Sequence, residues 1–414
     1  MDKHIKLISH GLTLLGFFLL PWQTVWIVQQ RMVGGHVWQY GSILIYLSEV
    51  VLWVAMVGWL VVKWRSKEYT MQSCSHIGVM VTLGLVLLAL KQSSDIAVTI
   101  QGLSWIFLSF WVAYILFHAR SLSKYIQALG VSLMLVSLLA LTQFAHQVVF
   151  PSSLLGIAAQ FPEVLGVPVV VSGGERLLRA FGSFPHPNIL GGYMVFGVAL
   201  ALYTLKDRSS QRFGRALYVL SLIGLLISFS RSAWLSFIIL MAIYLYQHDN
   251  PRIIIRKISS LTIAVIAVFI ILYHPYIANR IQPQHDIEQR SINERKIGFA
   301  EALEVMRQYP FGTGVHNYTV AVSEVFPERV GYELQPVHNT LLLIVVEWGI
   351  GVLLLLAALL YAITHSRYTK QIFFSFLIVS PVLMLDHYMW SLYAGIMLFG
   401  IMMAINVHFL EHKN

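Results

Sequence analysis

Apolar runs long enough to cross a membrane recur along most of this chain. About 20 helical residues span a bilayer core, and the runs here are about 14–25 residues long. Short polar connections separate most of them. The pattern therefore predicts twelve membrane-spanning helices, at residues 5–20, 41–62, 76–90, 96–117, 128–149, 188–205, 216–229, 233–246, 258–273, 339–363, 372–385 and 390–409.

Two long polar intervals divide the predicted spans into groups. Residues 1–274 contain spans one to nine, with an outer loop at 150–187. Residues 275–338 form the longest polar interval, and residues 339–414 contain spans ten to twelve. The predicted fold class is therefore an all-α polytopic membrane protein with one long loop late in the chain.

The longest interval carries the signature of an amphipathic helix. Ser291 and Glu294 occupy the N-cap and third positions of a capping box, so a helix is predicted to begin at Ser291. Pro310 and Gly312 predict where it ends. The apolar positions that share one side of it are Ile292, Phe299, Leu303 and Met306. Such a helix is expected to lie over the membrane domain or on lipid headgroups.

The positive charges predict the orientation of the spans. Lys3 and Lys6 precede the first run, and no small-residue cleavage pattern follows it, so this run is predicted to be a retained span with a cytoplasmic N-terminus. When the spans alternate from there, every short cytoplasmic connection carries Lys or Arg, in agreement with the positive-inside rule. Both termini are then cytoplasmic, and the intervals at 150–187 and 275–338 lie outside.

The seventh and eighth runs are short, and Ser230-Arg231-Ser232 joins them. A single bent helix is the alternative interpretation. It would place the cations at 252–257 outside, which the charge rule disfavours. The pattern therefore predicts two short spans, with Arg231 facing a cavity and not lipid.

Composition supports a membrane protein and excludes several kinds of chemistry. The chain is 57% hydrophobic and 11% charged. Most of the cations behind its net charge of +9 lie in the predicted cytoplasmic connections, so this charge does not indicate a nucleic-acid partner. The single cysteine, Cys74, excludes a disulfide within the chain and a cysteine-based metal cluster. The sequence contains no phosphate-binding glycine loop, no His-Glu-x-x-His motif and no acidic triplet, so metal-independent chemistry without a cofactor is predicted.

His338 is the predicted chemical centre. It lies directly before the tenth run, and a histidine exchanges a proton near neutral pH. The positive start of the helix and nearby arginines favour the neutral form, which accepts a proton. Asn339 is expected to orient a substrate or the loop. A helix-capping or interfacial role is the alternative for His338.

Arginines from distant segments fall on the predicted outer side. They are Arg176, Arg179, Arg231 and Arg295. A guanidinium group matches phosphate oxygens and keeps its charge, so a convergent cluster is predicted to bind a diphosphate. The sequence leaves open whether Arg176 or Arg179 takes part. The alternative is that each arginine pairs with a nearby acid or a lipid headgroup.

Two acidic residues have open roles. Asp386 lies between the eleventh and twelfth runs and is predicted either to support His338 or an arginine, or to belong to an interfacial belt with Tyr388 and Trp390. Glu49 lies inside the second run. An intramembrane carboxylate suggests a function, although the sequence names no partner for it.

Four short motifs follow one another in the later part of the chain. They are Arg179 with Gly182-Ser183-Phe184-Pro185-His186-Pro187-Asn188, Ser230-Arg231-Ser232-Ala233, Arg295 with Pro310-Phe311-Gly312-Thr313-Gly314, and Val337-His338-Asn339 with Glu347-Trp348-Gly349. In this order and spacing they resemble the O-antigen ligase and polymerase-like membrane glycosyltransferases, whose fold is called GT-C.

The resemblance implies a metal-independent, inverting transfer on the periplasmic face of the cytoplasmic membrane. The glycan would pass from an undecaprenyl-diphosphate-linked donor to an acceptor hydroxyl on lipid A–core or another envelope molecule. The resemblance also implies that Arg179, or Arg176, and Arg231 hold the diphosphate, and that His338 activates the acceptor. The predicted supporting residues are Asn339, His186, Asn188, Asp386, Gly312 and Gly314.

The layout of twelve spans with one long late loop looks more like the ligase than like the repeat-unit polymerase, which is the alternative within the family. A membrane solute transporter is the alternative of a different class, and Glu49 is the main feature in its favour. Against a transporter, no internal repeat relates the two halves, and no pair of broken spans occupies matching positions.

Overall fold

The computed structural model describes residues 2–66, 76–119, 121–247, 251–281, 286–364, 366 and 368–411. Within these residues the chain is mostly helical, as predicted. Cys74 and some of the cations predicted to be cytoplasmic lie outside the described residues; those cations are Lys67, Arg120, Arg367 and Lys413.

The helices coincide closely with the predicted apolar runs. Those that overlap a predicted span are α1 (Asp2–Leu19), α2 (Leu47–Arg65), α3 (His76–Gln92), α4 (Ile96–Phe117), α5 (Ser123–His146), α6 (Pro187–Thr204), α7 (Gln211–Ile227), α8 (Arg231–Gln247), α9 (Pro251–Ile281), α12 (Thr340–Trp348), α13 (Val352–Thr364), α14 (Thr369–Leu385), α15 (Tyr388–Ser391) and α16 (Tyr393–Glu411). Those in the longest polar interval are α10 (Asp286–Gln308) and α11 (Tyr318–Val325).

Several helices are both long and apolar enough to cross a membrane. The 6 such segments among the described residues are Leu47–Arg65, Ile96–Phe117, Ser123–His146, Pro187–Thr204, Ser260–Ile281 and Thr340–Tyr361. Shorter apolar helices accompany them, at Thr82–Gln92, Thr369–Leu385 and Tyr393–Ile405. The chain is therefore a helical polytopic membrane protein, while the number of twelve crossings stays a prediction.

Helix α6 forms the centre of the bundle. It packs against α5, α7, α8 and α16, and 94% of its length is buried. A helix that is apolar on every side is stable only inside a protein or a membrane. Its glycines allow close packing; a Cβ atom at Gly192 would overlap the hydroxyl group of Tyr388. This close contact holds α15 against the start of α6.

Short antiparallel strands occur at residues 25–46 and 169–178, in predicted loops and, for the last strand of the first segment, in the predicted second span at 41–62. In the first segment β1 (Val25–Gln29) pairs with β4 (Ile43–Tyr46), and β2 (Met32–Val33) pairs with β3 (His36–Val37). In the second segment β5 (Val169–Ser172) pairs with β6 (Glu175–Leu178). Valine and isoleucine favour the strands, and glycine pairs with positive φ form two of the turns. The all-α fold class holds for the chain as a whole, whereas the predicted start of the second span at residue 41 was wrong, because residues 43–46 form a strand.

The long polar interval is more helical than predicted. Helix α9 kinks at Tyr273 but continues through Pro275 to Ile281, beyond the predicted end at residue 273. Helix α10 already includes Asp286, so Ser291 lies inside the helix and the prediction of an N-cap at Ser291 was wrong. The intervening residues 287–290 are themselves compatible with helix, which outweighs the local capping signal. The helix ends before Pro310, as predicted.

The tenth predicted span is broken in its middle. Helix α12 ends at Trp348, and a 3₁₀ turn at Gly349–Gly351 leads into α13. The backbone N–H groups of Thr313 and Gly314 donate hydrogen bonds to the carbonyl groups of Val346 and Glu347, at 3.2 and 3.0 Å. A turn from the long polar interval thereby satisfies carbonyl groups that the end of α12 leaves unpaired.

Candidate active site

Several helix ends meet at one end of the bundle, and local capping fixes two of them. His186 is the N-cap of α6, where its Nδ1 accepts the backbone N–H of Asn188 at 3.1 Å. Asn339 is the N-cap of α12, where its Oδ1 accepts the backbone N–H of Leu342 at 2.9 Å. These caps place Asn188 in the first turn of α6 and His338 immediately before α12.

A line of polar contacts joins a guanidinium group to His338. Nη2 of Arg179 donates to Oδ1 of Asn188 at 2.6 Å, and Nδ2 of Asn188 donates to Oδ2 of Asp386 at 2.7 Å. Oδ1 of Asp386 lies 3.9 Å from Nδ1 of His338, which is ion-pair range but too long for a direct hydrogen bond. Arg179, Asn188 and Asp386 are buried, whereas the His338 side chain is 29% exposed. The line therefore runs from the protein interior to an accessible imidazole.

Asp386 is held rigidly in this line. Its backbone carbonyl accepts the N–H and the hydroxyl of Thr340, at 2.9 and 2.8 Å, and its Oδ1 accepts the backbone N–H of His387 at 2.8 Å. Burial raises the pKa of Asp386. The contact with His338 and the nearby His387 and His186 lower this pKa by more than burial raises it, so the net shift is downward. Asp386 is therefore a carboxylate at neutral pH.

Two further histidines lie beside His338. The His387 ring is 5.0 Å from the His338 ring, centroid to centroid, and its Nδ1 lies 2.6 Å from the hydroxyl of Ser391. Burial lowers the pKa of His387 to about 3, and desolvation together with the charge of Arg179 lowers the pKa of His186 to about 3. Both stay neutral at physiological pH. The His338 side chain is 29% exposed, whereas His387 is buried.

His338, Asp386 and His387 also have the donor types of a metal site, with ligand atoms that all lie within 4.8 Å of one another. Three features oppose a divalent cation there. Both carboxylate oxygens of Asp386 already accept hydrogen bonds, Nδ1 of His387 contacts Ser391, and the positive start of α12 and Arg179 are close by.

A cavity of about 550 Å³ borders this line of contacts at Asn188. Its remaining lining residues are Arg231, Ser232, Arg280, Ile292, Arg295, Lys296, Phe299 and Leu385. Four of these side chains are cationic, and none of the described residues that line the cavity is acidic. The cavity can therefore hold an anion of the size and charge of a diphosphate.

Backbone geometry fixes two of the cavity's arginines. Phe229 ends α7 in the left-handed region, at φ +48°, so that Arg231 becomes the first residue of α8. Nη1 of Arg231 donates to the carbonyl of Arg280 at 3.3 Å, and Nε of Arg280 donates to the carbonyl of Phe229 at 3.1 Å. These two hydrogen bonds tie the turn before α8 to the end of α9, and Asn188 connects the cavity to the line of contacts with His338.

Some predicted site residues lie elsewhere or have a structural contact. Arg176, on β6, donates to the carbonyls of Pro162 and Val164 and does not line the cavity. Gly312 lies against the end of α12, where a Cβ atom would overlap backbone atoms of that helix. Gly314, beside it, caps the same helix end.

Two further glutamates, Glu49 and Glu347, have partners within the protein. Oε2 of Glu49 accepts the indole N–H of Trp105 at 3.2 Å and the backbone N–H of Tyr46 at 3.3 Å, which forms a capping box at the start of α2. Oε2 of Glu347 accepts the indole N–H of Trp390 at 2.6 Å. Both carboxylates therefore stabilise helix contacts. These contacts explain the position of Glu49 without a role in transport.

Sequence reasoning missed Arg280, Lys296, His387 and Tyr40, which the structure brings to the cavity or to the histidines. Arg280 and Lys296 lie in the longest polar interval and carried no predicted role. Lys296 follows Arg295 directly, and this adjacency on an amphipathic helix was the one available signal. No pattern in the sequence connects Arg280 or Tyr40 to residues more than fifty positions away.

Residues 216–357 match the family model described as O-antigen ligase. The match confirms the resemblance to O-antigen ligase-like proteins over the segment from α7 to α13. It includes Arg231, Arg280, Arg295 and His338, whereas Arg179 and Asp386 lie outside it. Neither a curated protein nor a solved structure matches the chain.

Proposed function

We propose, starting from the O-antigen ligase match over residues 216–357, that this protein is a membrane glycosyltransferase of the ligase type. It transfers a glycan from an undecaprenyl-diphosphate-linked donor to an acceptor hydroxyl on lipid A–core or another envelope molecule. The observation that carries the proposal is the cation-lined cavity, joined through Asn188 and Asp386 to an accessible histidine.

The donor diphosphate occupies the cavity. Arg231, Arg280, Arg295 and Lys296 offer positive charge from three different helices, and the guanidinium groups match phosphate oxygens in pairs. Negative charge grows on the diphosphate as it leaves the sugar, and fixed cations stabilise that charge. Cationic stabilisation of this kind removes the need for a strong acid on the leaving group.

The wall of the cavity also suits a lipid-linked molecule. Ile292, Phe299 and Leu385 give it an apolar side, and Phe299 is 47% exposed. Helix α9, which carries Arg280 near its end, is only 6% buried along its apolar segment. The polyprenyl chain can therefore leave the cavity toward lipid beside an exposed apolar helix.

His338 activates the acceptor. Its Nδ1 faces Asp386, so Nε2 is the nitrogen that takes the proton from the acceptor hydroxyl. The acceptor oxygen forms a bond to the anomeric carbon while the bond from that carbon to the diphosphate oxygen breaks. The electron pair leaves with the diphosphate, and the proton stays on His338 beside the Asp386 carboxylate. Displacement from the opposite face inverts the sugar, and no metal is required.

The alternation of spans supports an extracytoplasmic site. Helices α6, α8 and α12 begin at the site, and α9 and α14 end there. With twelve spans and a cytoplasmic N-terminus, the corresponding runs all have these ends on the outer side. The proposed topology therefore has both termini in the cytoplasm and the active site on the periplasmic face of the cytoplasmic membrane.

Gene deletion in the host tests the function. The surface glycan and the pool linked to undecaprenyl diphosphate are compared by gel and mass spectrometry, with wild-type and His338→Ala genes returned on a plasmid. Loss of attached glycan with accumulation of long lipid-linked chains, restored by wild type alone, is the expected result. Accumulation of single repeat units would identify a polymerase instead. An unchanged surface and pool in a host without a second copy would refute glycan transfer.

A further inference from the structure

A tyrosine from the first outer segment lies beside the histidines of the site. Tyr40 belongs to the 3₁₀ turn Gln39–Gly41 between β3 and β4. Its ring meets the His387 ring edge-on, with centroids 5.6 Å apart, and the His387 ring lies 5.0 Å from that of His338. Tyr40 is about three hundred positions away from both histidines in the sequence, and neither the resemblance nor the family match covers it.

The segment that carries Tyr40 is fixed to the segment that carries His338. Trp38, two residues before Tyr40, is 6% exposed and belongs to one apolar cluster with Leu334 and Val337. Val337 directly precedes His338. The carbonyl of Trp38 also accepts the hydroxyl of Ser42 at 2.7 Å, which closes the turn around Tyr40. The Tyr40 ring is therefore held against His387, the neighbour of His338, without any ligand present.

A backbone contact and a close approach reinforce this attachment. The backbone N–H of Gly331 donates to the carbonyl of Val33 at 3.0 Å. A Cβ atom at Gly331 would overlap the carbonyl of His36, so the two segments meet at a position where only glycine fits. The first outer segment and residues 331–338 thus form one wall beside the site.

The chemistry of this wall differs from that of the donor cavity. Tyr40 does not line the cavity, and the cation of its own segment, Arg31, forms an ion pair with Asp95. A diphosphate requires cations, whereas a neutral sugar is bound by an aromatic face and neutral hydrogen-bonding groups. Tyr40 supplies a ring and a hydroxyl, and the exposed Gln39 beside it supplies an amide.

We propose that Tyr40 is an acceptor-binding residue, which contacts the acceptor sugar and holds its hydroxyl beside His338, apart from the cavity that takes the donor diphosphate. The inference rests on the proposed glycosyltransferase function and names the part of the site that recognises the second substrate. Tyr40 then serves the acceptor, the cations of the cavity serve the donor diphosphate, and His338 takes the proton.

Tyr40→Phe separates sugar binding from packing, because it keeps the ring against His387 and removes only the hydroxyl. The purified full chain in nanodiscs is supplied with an undecaprenyl-diphosphate-linked glycan, and lipid A–core is titrated. We expect the acceptor KM to rise about threefold to tenfold, the effect of one neutral hydrogen bond. The donor KM and the affinity for undecaprenyl diphosphate stay unchanged. Tyr40→Ala, which also removes the ring, raises the acceptor KM further.

Tyr246→Phe is the matched control. Tyr246, the next-to-last residue of α8, is 73% exposed and lies at the end of that helix away from the site, so its variant keeps wild-type kinetics. An unchanged acceptor KM in both Tyr40 variants, or a change in donor KM instead, would overturn the inference. A purely structural role would lower the melting temperature and kcat without a selective effect on acceptor KM, and would also overturn it. Absence of transfer by the wild-type enzyme, to lipid A–core or to a glycan repeat unit, would refute the proposed function itself.

Discussion

Replacement of Asp386 by Asn tests the coupling between the carboxylate and His338. Both carboxylate oxygens accept a hydrogen bond, from Nδ2 of Asn188 at 2.7 Å and from the backbone N–H of His387 at 2.8 Å. An amide has nearly the same size but only one accepting oxygen, so its NH₂ group must face one of these donors. The lost buried hydrogen bond costs about 1–3 kcal/mol of stability.

The effect on the reaction is larger than the effect on folding. When His338 takes the acceptor proton, its positive charge lies 3.9 Å from Asp386. At an effective dielectric constant of about 20, two unit charges at this separation attract by about 4 kcal/mol. Since each 1.4 kcal/mol changes a rate about tenfold, complete loss of this attraction would lower kcat about 10³-fold. Solvent screening at the partly exposed His338 ring reduces the expected loss to between about 10² and 10³.

The assay is transfer of radiolabelled glycan to lipid A–core under donor saturation, with donor binding measured separately. Asp386→Asn is expected to keep the affinity for undecaprenyl diphosphate, because the cavity cations are intact. Asp95→Asn is the matched control. Like Asp386, Asp95 lies at a helix end and pairs with a basic residue, in this case Arg31, but it lies outside the line to His338. A folded Asp386→Asn protein with wild-type kcat would refute the proposed role of the carboxylate.

Three further predictions concern the site. His338→Ala is expected to abolish transfer while the protein still binds undecaprenyl diphosphate; residual transfer above background would contradict its role as the base. Arg280→Ala is expected to weaken binding of undecaprenyl diphosphate about 10- to 100-fold, the effect of a charge-assisted hydrogen bond, whereas Arg176→Ala, outside the cavity, leaves it unchanged; equal affinities in the two variants would contradict this assignment. The pKa of His387 falls from 6.5 to about 3 on folding, so below pH 6.5 the unfolded chain binds a proton that the folded protein does not. Thermal stability should therefore fall as pH drops from 6.5 toward 3, and His387→Gln should make the decrease less steep by about 1.4 kcal/mol per pH unit; an unchanged slope would show that His387 does not titrate in this way.

Hydropathy predicted most of the helices well, because the tendency of a long apolar segment to form a membrane helix depends on that segment's own residues. The predicted run at 96–117 coincides with α4, and the run at 188–205 differs from α6 by one residue at each end. Pro310 ended α10 as predicted, since proline acts on its own backbone and that of its neighbour. The motifs that carry the family resemblance could be recognised for the same reason, since each consists of residues close together in the sequence.

Local signals failed where a distant segment competes with them. The tenth span breaks at Gly349 because a turn near Gly314 supplies hydrogen bonds to the carbonyl groups at the end of α12. The spacing of apolar residues in the span does not predict this contact with a distant turn. The strands from 25 to 46 form because two short extended segments pair with each other and pack on residues 331–338. Capping chemistry at Ser291 did not start a helix, because the residues before it are helical as well.

The sequence by itself determined a helical membrane protein, a histidine directly before an apolar helix and a set of arginines able to bind phosphate. Only the tertiary structure decided which of these residues meet. Arg179, Asn188, Asp386 and His338 come from four segments, and their contacts depend on how α6, α12 and α14 converge. Packing between α8 and α9 likewise joins Arg280 to Arg231 in the cavity. Hydrophobic patterning fixes which residues leave water, whereas packing between distant helices fixes which polar groups are then brought together.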